Sequence, residues 1–178
     1  MSTPIAASCR ACGASGLSLI LSLGRTPLAN SLLTADQLDR PESRYPLDLA
    51  FCAVCALVQI TETVPPELLF REYLYFSSFS DGMLASARDI AERLIETRRL
   101  DGSSLVVEVA SNDGYLLQFY QRRGVPVLGI EPARNIARVA REERGIPTVE
   151  EFFDAAVARR LRAEHGAAHV IHANNVLA

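Results

Sequence analysis

The chain has 178 residues, 49% of them hydrophobic and 22% charged, with a net charge of −3. That is room for one medium domain with a small module attached; it excludes wholesale disorder and gives no basic footprint for nucleic acid as the main partner. The opening MSTPIAASCRACG lacks a basic start followed by an apolar core, and LSLILSL is too short and too interrupted by serine to span a bilayer. The expectation is a cytoplasmic protein, away from membranes, in which thiols stay reduced.

Residues 1–66 are rich in Pro, Ser and short apolar runs and contain all four cysteines. Val64-Pro65-Pro66 closes this region, since two successive prolines halt regular structure. Residues 67–100 read as a helical connecting segment. It begins with the aromatic-rich ELLFREYLYFSSFSDG and continues as a helix capped by Ser80 or Asp81, with Met83, Leu84, Ala87, Ile90, Ala91, Leu94 and Ile95 at helical spacing. From residue 101 strands and helices alternate. SLVVEVA is a buried strand, GYLLQFYQRR a helix, VPVLGIE a strand, and ARNIARVAREE a helix with Ile136, Val139, Ala140 and Glu143 on one line. TVEEFF holds a short strand, Asp154 caps AAVARRLRAEH, Gly166 stops it, and AHVIHANN is a fourth strand. The fold class is therefore α/β: a small four-cysteine module followed by a Rossmann-like parallel sheet of about four strands over residues 101–178.

Cys9-x2-Cys12 and Cys52-x2-Cys55 are two thiolate pairs at the spacing that lets a tight turn aim both sulfurs at one ion. Gly13 suits the left-handed turn of such a knuckle. Four sulfurs at tetrahedral corners form the closed, structural geometry of zinc. The 39 residues between Cys12 and Cys52 require a small subdomain between the knuckles. Reduced core cysteines and disulfides are the alternatives. A redox CxxC is disfavoured because no thioredoxin-like pattern surrounds either pair.

EVASNDGYL lies where the first α/β strand turns into its helix, the turn that faces the cofactor in a Rossmann sheet. The GxGxxG fingerprint finds no glycine at Ala110, Asn112 or Tyr115. A GxGxG register keeps the preceding acid, Glu108, and the last glycine, Gly114, with Ala110 and Asn112 as small or turn-tolerant substitutes. Glu131 ends the second strand, where an acid can take both ribose hydroxyls of an adenosine cofactor. The other reading is a capped turn with a solvated carboxylate.

Taken in order, CRACG, TPLANSLL, YPLDLAFCAVCALVQ, LFREYLYFSSFSD, VEVASNDGYLLQ, GIEPARNIA and HVIHANNVLA make the chain resemble the front part of a known family. These are the zinc-containing, S-adenosylmethionine-dependent C-methyltransferases of nucleotide-linked deoxysugars in antibiotic pathways. The resemblance implies a zinc module, a Rossmann methyltransferase core and a further C-terminal domain. It also implies a thymidine-diphosphate 4-keto-deoxysugar as partner, methylated beside the ketone through an enolate, and a monomeric full-length enzyme. S-adenosyl-L-methionine is the implied cofactor, with structural Zn2+ on Cys9, Cys12, Cys52 and Cys55.

By the same resemblance, Glu108, Asn112 and Gly114 form the methionine-side pocket, with backbone from Ala110 and Ser111. Glu131 takes the ribose and Pro132 lines the adenine side. Asn174 and Asn175 face the methionine moiety, against a plain strand-end turn. Tyr73 and Tyr75 are the catalytic candidates, holding the sugar or donating to the enolate, against simple aromatic packing; Ser77 and Ser78 are weaker candidates for sugar or phosphate contacts. Among the histidines, His165 reads as helix-end structure, and neither His169 nor His172 is expected to be a base. The family's histidine would follow NNVLA directly, so the resemblance places the base beyond Ala178 and implies no methyl transfer by residues 1–178 alone. A non-catalytic binding or scaffolding role, and methyl transfer to another small molecule, are the alternative functions.

Overall fold

The computed structural model describes residues 4–5 and 7–176, with the backbone alone for Pro4 and Ile5. Leu177 and Ala178, the end of the HVIHANNVLA stretch, lie outside the described residues, as do parts of the opening segment. The chain forms two compact units, divided between Leu69 and Phe70.

The first unit is an antiparallel meander in the order β1-β2-β3-β4: β1 (Pro4–Ile5), β2 (Leu17–Thr26), β3 (Tyr45–Phe51) and β4 (Val58–Ile60). The LSLILSL run is thus a strand, not an apolar helix. It shifts register against β3 between Leu19 and Leu21 and again between Ser22 and Arg25. The subdomain required between the knuckles consists of β2, β3 and the loop joining them, which carries a 3-10 turn at Ala35–Gln37. A small core of Cys9, Leu17, Ala50 and Cys52 places two of the four sulfurs at the centre of the unit. Helix α1 (Pro66–Phe70) follows.

In the second unit, α2 (Asp81–Arg98) starts where Ser80 accepts a hydrogen bond from the Met83 N–H at 3.2 Å and ends at Arg99, whose φ is 53°. Its inner stripe, Ala87, Ala91 and Ile95, packs into one core with Leu116, Leu117, Tyr120 and Ile146. Burying a large apolar side chain of this kind contributes about 1.5–3 kcal/mol. Then follow β5 (Val106–Val109), α3 (Leu117–Arg122), β6 (Val127–Ile130), α4 (Arg134–Glu142), β7 (Thr148–Val149), α5 (Ala155–His165) and β8 (Val170–His172). Helix α4 buries Ile136, Ala137 and Ala140, while Glu143, expected on the same line, is exposed. Asp154 caps α5 through the amides of Ala156 and Val157, and Gly166 ends it at φ 87°.

All pairings in this sheet are parallel, in the order β7-β6-β5-β8. Counted by appearance that is 3-2-1-4, the Rossmann order. It leaves a crevice at the carboxyl ends of the first and fourth strands, where ligands of doubly wound sheets bind. Among the described residues no helix is long and apolar enough to cross a membrane.

Candidate metal centre and cofactor cleft

The two cysteine knuckles have the same backbone. The Gly13 N–H donates to the Cys9 carbonyl at 2.9 Å and the Cys9 N–H to Ala14 at 2.8 Å; the Ala56 N–H donates to Cys52 at 2.8 Å and the Cys52 N–H to Leu57 at 2.9 Å. Both turns need a left-handed residue, supplied by Gly13 (φ 74°) and Ala56 (φ 60°). The four sulfurs lie within 4.8 Å of one another. Cys9 and Cys52 are buried, and Cys12 and Cys55 are exposed. Backbone N–H groups of Cys12 and Ala11 bring the Cys9 thiol down to about 6. At Cys55 the Leu57 amide pulls down, but the Cys9 and Cys12 sulfurs and burial together push the thiol up to about 12. Four sulfurs so close resist becoming thiolates together without a cation, and a donor set made of four cysteine sulfurs is closed and suits zinc. Gln59 braces the first knuckle: its Oε1 accepts from the Arg10 N–H at 3.0 Å and its Nε2 donates to the Ser8 carbonyl at 3.4 Å.

The cleft of the second unit is built on the loop after β5. Ala110, Asn112 and Gly114 adopt φ of 52°, 50° and 77°. These are the three positions of the GxGxG register, so the loop keeps the glycine-type backbone although only one glycine remains. At Gly114 the left-handed backbone strains any side chain and packing excludes one, because a Cβ there would lie 2.7 Å from Ile146 Cγ1. At Gly129 of β6 a Cβ would meet Ser111 Oγ at 2.5 Å, so the loop folds directly over that strand.

Glu131, at the end of β6, accepts from the Asn112 N–H and from the Ala133 N–H, both at 2.9 Å and each on its own oxygen. Each oxygen retains a lone-pair site for a hydroxyl. Burial pushes its carboxyl above the usual range, against the pull of the two amides. Glu108 is fully buried, and its carboxyl lies well above the usual range through loss of solvent. Its Oε1 accepts from Asn174 Nδ2 at 3.2 Å, and the same nitrogen donates to the Tyr115 hydroxyl at 3.2 Å. Glu108 Oε2, Ser111 Oγ and Asp113 Oδ1 are buried and unpartnered among the described residues. Three orphaned polar atoms in one strand and loop suit a site that a polar ligand completes.

Tyr73 and Tyr75 lie on a segment pinned to this loop and to α4 through its backbone. Asn112 Nδ2 donates to the Tyr75 carbonyl at 3.0 Å and its Oδ1 accepts from the Ser77 N–H at 2.8 Å. Asn135 of α4 accepts from the Tyr73 N–H at 3.0 Å and donates to its carbonyl at 2.6 Å. The Ser78 hydroxyl donates to Asp113 Oδ2, which also pairs with Arg144 at 3.1 Å. Tyr75 is 47% exposed, leaving its ring open to solvent, while Tyr73 is half-buried. The Asn112 carboxamide is thus occupied by the tyrosine segment. Asn174 reaches Glu108, whereas exposed Asn175 adopts a left-handed turn at φ 55°. Pro132 is half-buried beside Glu131. His172 pairs with the Tyr120 hydroxyl at 2.9 Å.

Sequence reasoning missed Asp113, Arg144, Asn135 and Tyr115. Asn135 and Asp113 stand inside motifs that had been singled out, but neither residue type signals a partner so far along the chain. A cavity of about 560 Å3 opens at the opposite, amino edge of the sheet, where Leu105, Pro126, Pro147 and His169 precede their strands. Among the described residues no acid, lysine or arginine lines it. We place the site at the carboxyl edge, where the buried carboxylates are.

Residues 9–70 match a family described as "Putative zinc binding domain". The chain is 33% identical over 170 residues to the C-methyltransferase NovU of Streptomyces niveus, a match covering 96% of this chain and 40% of that protein. Over nearly its whole length the chain is similar to the N-terminal part of a C-methyltransferase. It spans less than half the length of that relative. Two solved structures overlap weakly. An RNA methyltransferase from Salinibacter ruber in complex with S-adenosyl-L-homocysteine shows 15% identity and a TM-score of 0.32, over 43% of this chain and 65% of that one. A SAM-dependent methyltransferase from Archaeoglobus fulgidus shows 15% identity and a TM-score of 0.30, over 42% and 32%.

Proposed function

We propose that this chain forms the zinc-binding and cofactor-binding portion of an S-adenosylmethionine-dependent C-methyltransferase whose acceptor is a 4-keto nucleotide deoxysugar. The observation that carries the reading is the left-handed backbone at Ala110, Asn112 and Gly114, joined to Glu131 by the Asn112 N–H at 2.9 Å. A loop with no ligand to cradle has no need of three left-handed residues in alternation, each costing about 1–2 kcal/mol where it is not glycine.

S-adenosylmethionine, when bound, supplies an electrophilic methyl group on a sulfonium. Glu131 holds the ribose hydroxyls with its remaining lone pairs, and Pro132 borders the base. Buried Glu108, with Asn174 and Tyr115, receives the polar end of the methionine moiety, where its Oε2 is unpartnered. Tyr75, held by its backbone with its ring exposed, offers a hydroxyl to the keto oxygen of the acceptor and so stabilises the developing enolate. Zinc on Cys9, Cys12, Cys52 and Cys55 is structural and takes no part in the chemistry.

Calorimetric titration of the zinc-loaded chain with S-adenosylhomocysteine tests the cofactor part. One equivalent should bind to the wild type, and affinity should fall about tenfold or more in Glu131→Ala, as a charge-assisted pair to ribose is lost. No heat with the wild type would favour a scaffolding protein. The acceptor is read separately, from amide shifts of residues 73–78 when a thymidine-diphosphate 4-keto-deoxysugar is added to the saturated chain. Unmoved shifts would remove the sugar and keep the cofactor.

A further inference from the structure

We infer that Asn112 is a positioning residue whose carboxamide ties occupancy of the cofactor loop to the conformation of the tyrosine-bearing segment 73–78. The inference rests on the cofactor reading above.

Asn112 occupies a left-handed position (φ 50°) that glycine would fill without strain. Asparagine tolerates that backbone and also brings a carboxamide, which glycine lacks. Both ends of the carboxamide are used on one target: Nδ2 donates to the Tyr75 carbonyl and Oδ1 accepts from the Ser77 N–H, at 3.0 and 2.8 Å. Together these bonds fix the backbone on both sides of Phe76. The backbone N–H of the same residue donates to Glu131 Oε2 at 2.9 Å. One residue therefore touches the acid assigned to the cofactor ribose and the main chain that carries Tyr75.

The neighbouring contacts separate this role from simple packing. Asn135 also clasps the segment, at Tyr73, but from α4 rather than from the cofactor loop. Asp113, the next loop residue, holds Ser78. Residues 75–77 are thus anchored by Asn112 of the cofactor loop, Ser78 is held by Asp113 of that loop and by Arg144 beyond it, and Tyr73 is anchored outside the loop. A ligand that orders the loop will order 75–77 through Asn112, and the acceptor-side tyrosine is presented when the cofactor is in place. The departure from a glycine-rich fingerprint is then a functional feature of the loop.

Residue-resolved amide hydrogen exchange on the full chain, with and without saturating S-adenosylhomocysteine, tests this. In the wild type the ligand should slow exchange of the Ser77 amide by about tenfold or more, the scale of a locally opened segment becoming ordered. Asn112→Gly keeps the left-handed backbone and should abolish that ligand-dependent slowing. Asn135→Ala should speed exchange at Tyr73 in the free protein while leaving the ligand effect at Ser77 intact. If Asn112→Gly still shows the slowing, or if the saturated wild type shows none, the inference is overturned while the cofactor reading stands. Loss of the effect in both variants equally would mean general loosening, and would also overturn it. Failure of the wild type to bind the ligand would instead sink the cofactor reading itself.

Discussion

Replacing Gly114 by alanine probes the geometry on which the cleft depends. The new Cβ would sit 2.7 Å from Ile146 Cγ1 and 3.2 Å from Ile146 Cβ, and Ile146 is itself fully buried, so neither side can retreat into solvent. Overpacking of this kind costs about 1–3 kcal/mol. Holding an L residue at φ 77° adds about 1 kcal/mol. The expected loss is about 2–4 kcal/mol in the opening free energy of the second unit, read from exchange of the β5–β6 ladder amides. In an Ile146→Ala background the clash with Cγ1 is gone and only the 3.2 Å approach to Cβ remains, so the same substitution should cost less, about 1–2 kcal/mol, a coupling that a double-mutant cycle measures. Equal cost in both backgrounds, or a cost under about 0.5 kcal/mol in the wild type, would refute the close approach of loop and Ile146.

Further outcomes follow from the same structure. Ala110→Gly relaxes a left-handed alanine (φ 52°) and should leave the second unit as stable or more stable, by up to about 1 kcal/mol; a clear loss in thermal unfolding would contradict the assigned backbone. Glu108 titrates above its usual 4.5 when folded, so the folded chain binds this proton more tightly than the unfolded one. Its contribution is therefore full below the unfolded value and is lost as pH rises toward the folded one. Wild-type stability should decline relative to Glu108→Gln as pH rises above 4.5, and parallel pH profiles would remove the buried acid from the account. Gln59→Ala leaves the Arg10 N–H and the Ser8 carbonyl without their partner and should speed zinc loss to a chelator by about 10–100-fold; an unchanged rate would mean that Gln59 does not brace the knuckle. One zinc per chain, lost with the structure of the first unit when Cys52 becomes serine, is the matching metal analysis; zinc-free protein with that unit intact would contradict it.

Most of the second unit was legible because its signals are local. Ser80 and Asp154 cap helices within three residues of themselves, Gly166 stops α5, and apolar runs of strand length mark β5 and β6. The knuckles were legible for the same reason: the x2 spacing fixes the turn. The β2–β3 meander was not, since its register shifts follow from pairing across a long loop rather than from any pattern along one strand. The site divided along the same line. Glu108, Glu131 and the 110–114 loop follow from strand–turn–helix context. The partnership of Asn112 with Tyr75, of Asn135 with Tyr73, and of Arg144 with Asp113 forms only when the sheet brings distant segments together. The side chain of Asn112 shows the difference well: its backbone role could be read from position, its carboxamide role could not.

The central claim is that an adenosine cofactor sits at the carboxyl edge of the parallel sheet, between the 110–114 loop and Glu131. A crystal structure of the zinc-loaded chain with S-adenosylhomocysteine tests it most directly. The account predicts both ribose hydroxyls within hydrogen-bond distance of Glu131 and the amino-acid end beside Glu108 and Asn174. A ligand seated elsewhere, such as the cavity before the strands at Leu105, Pro126 and His169, would contradict it.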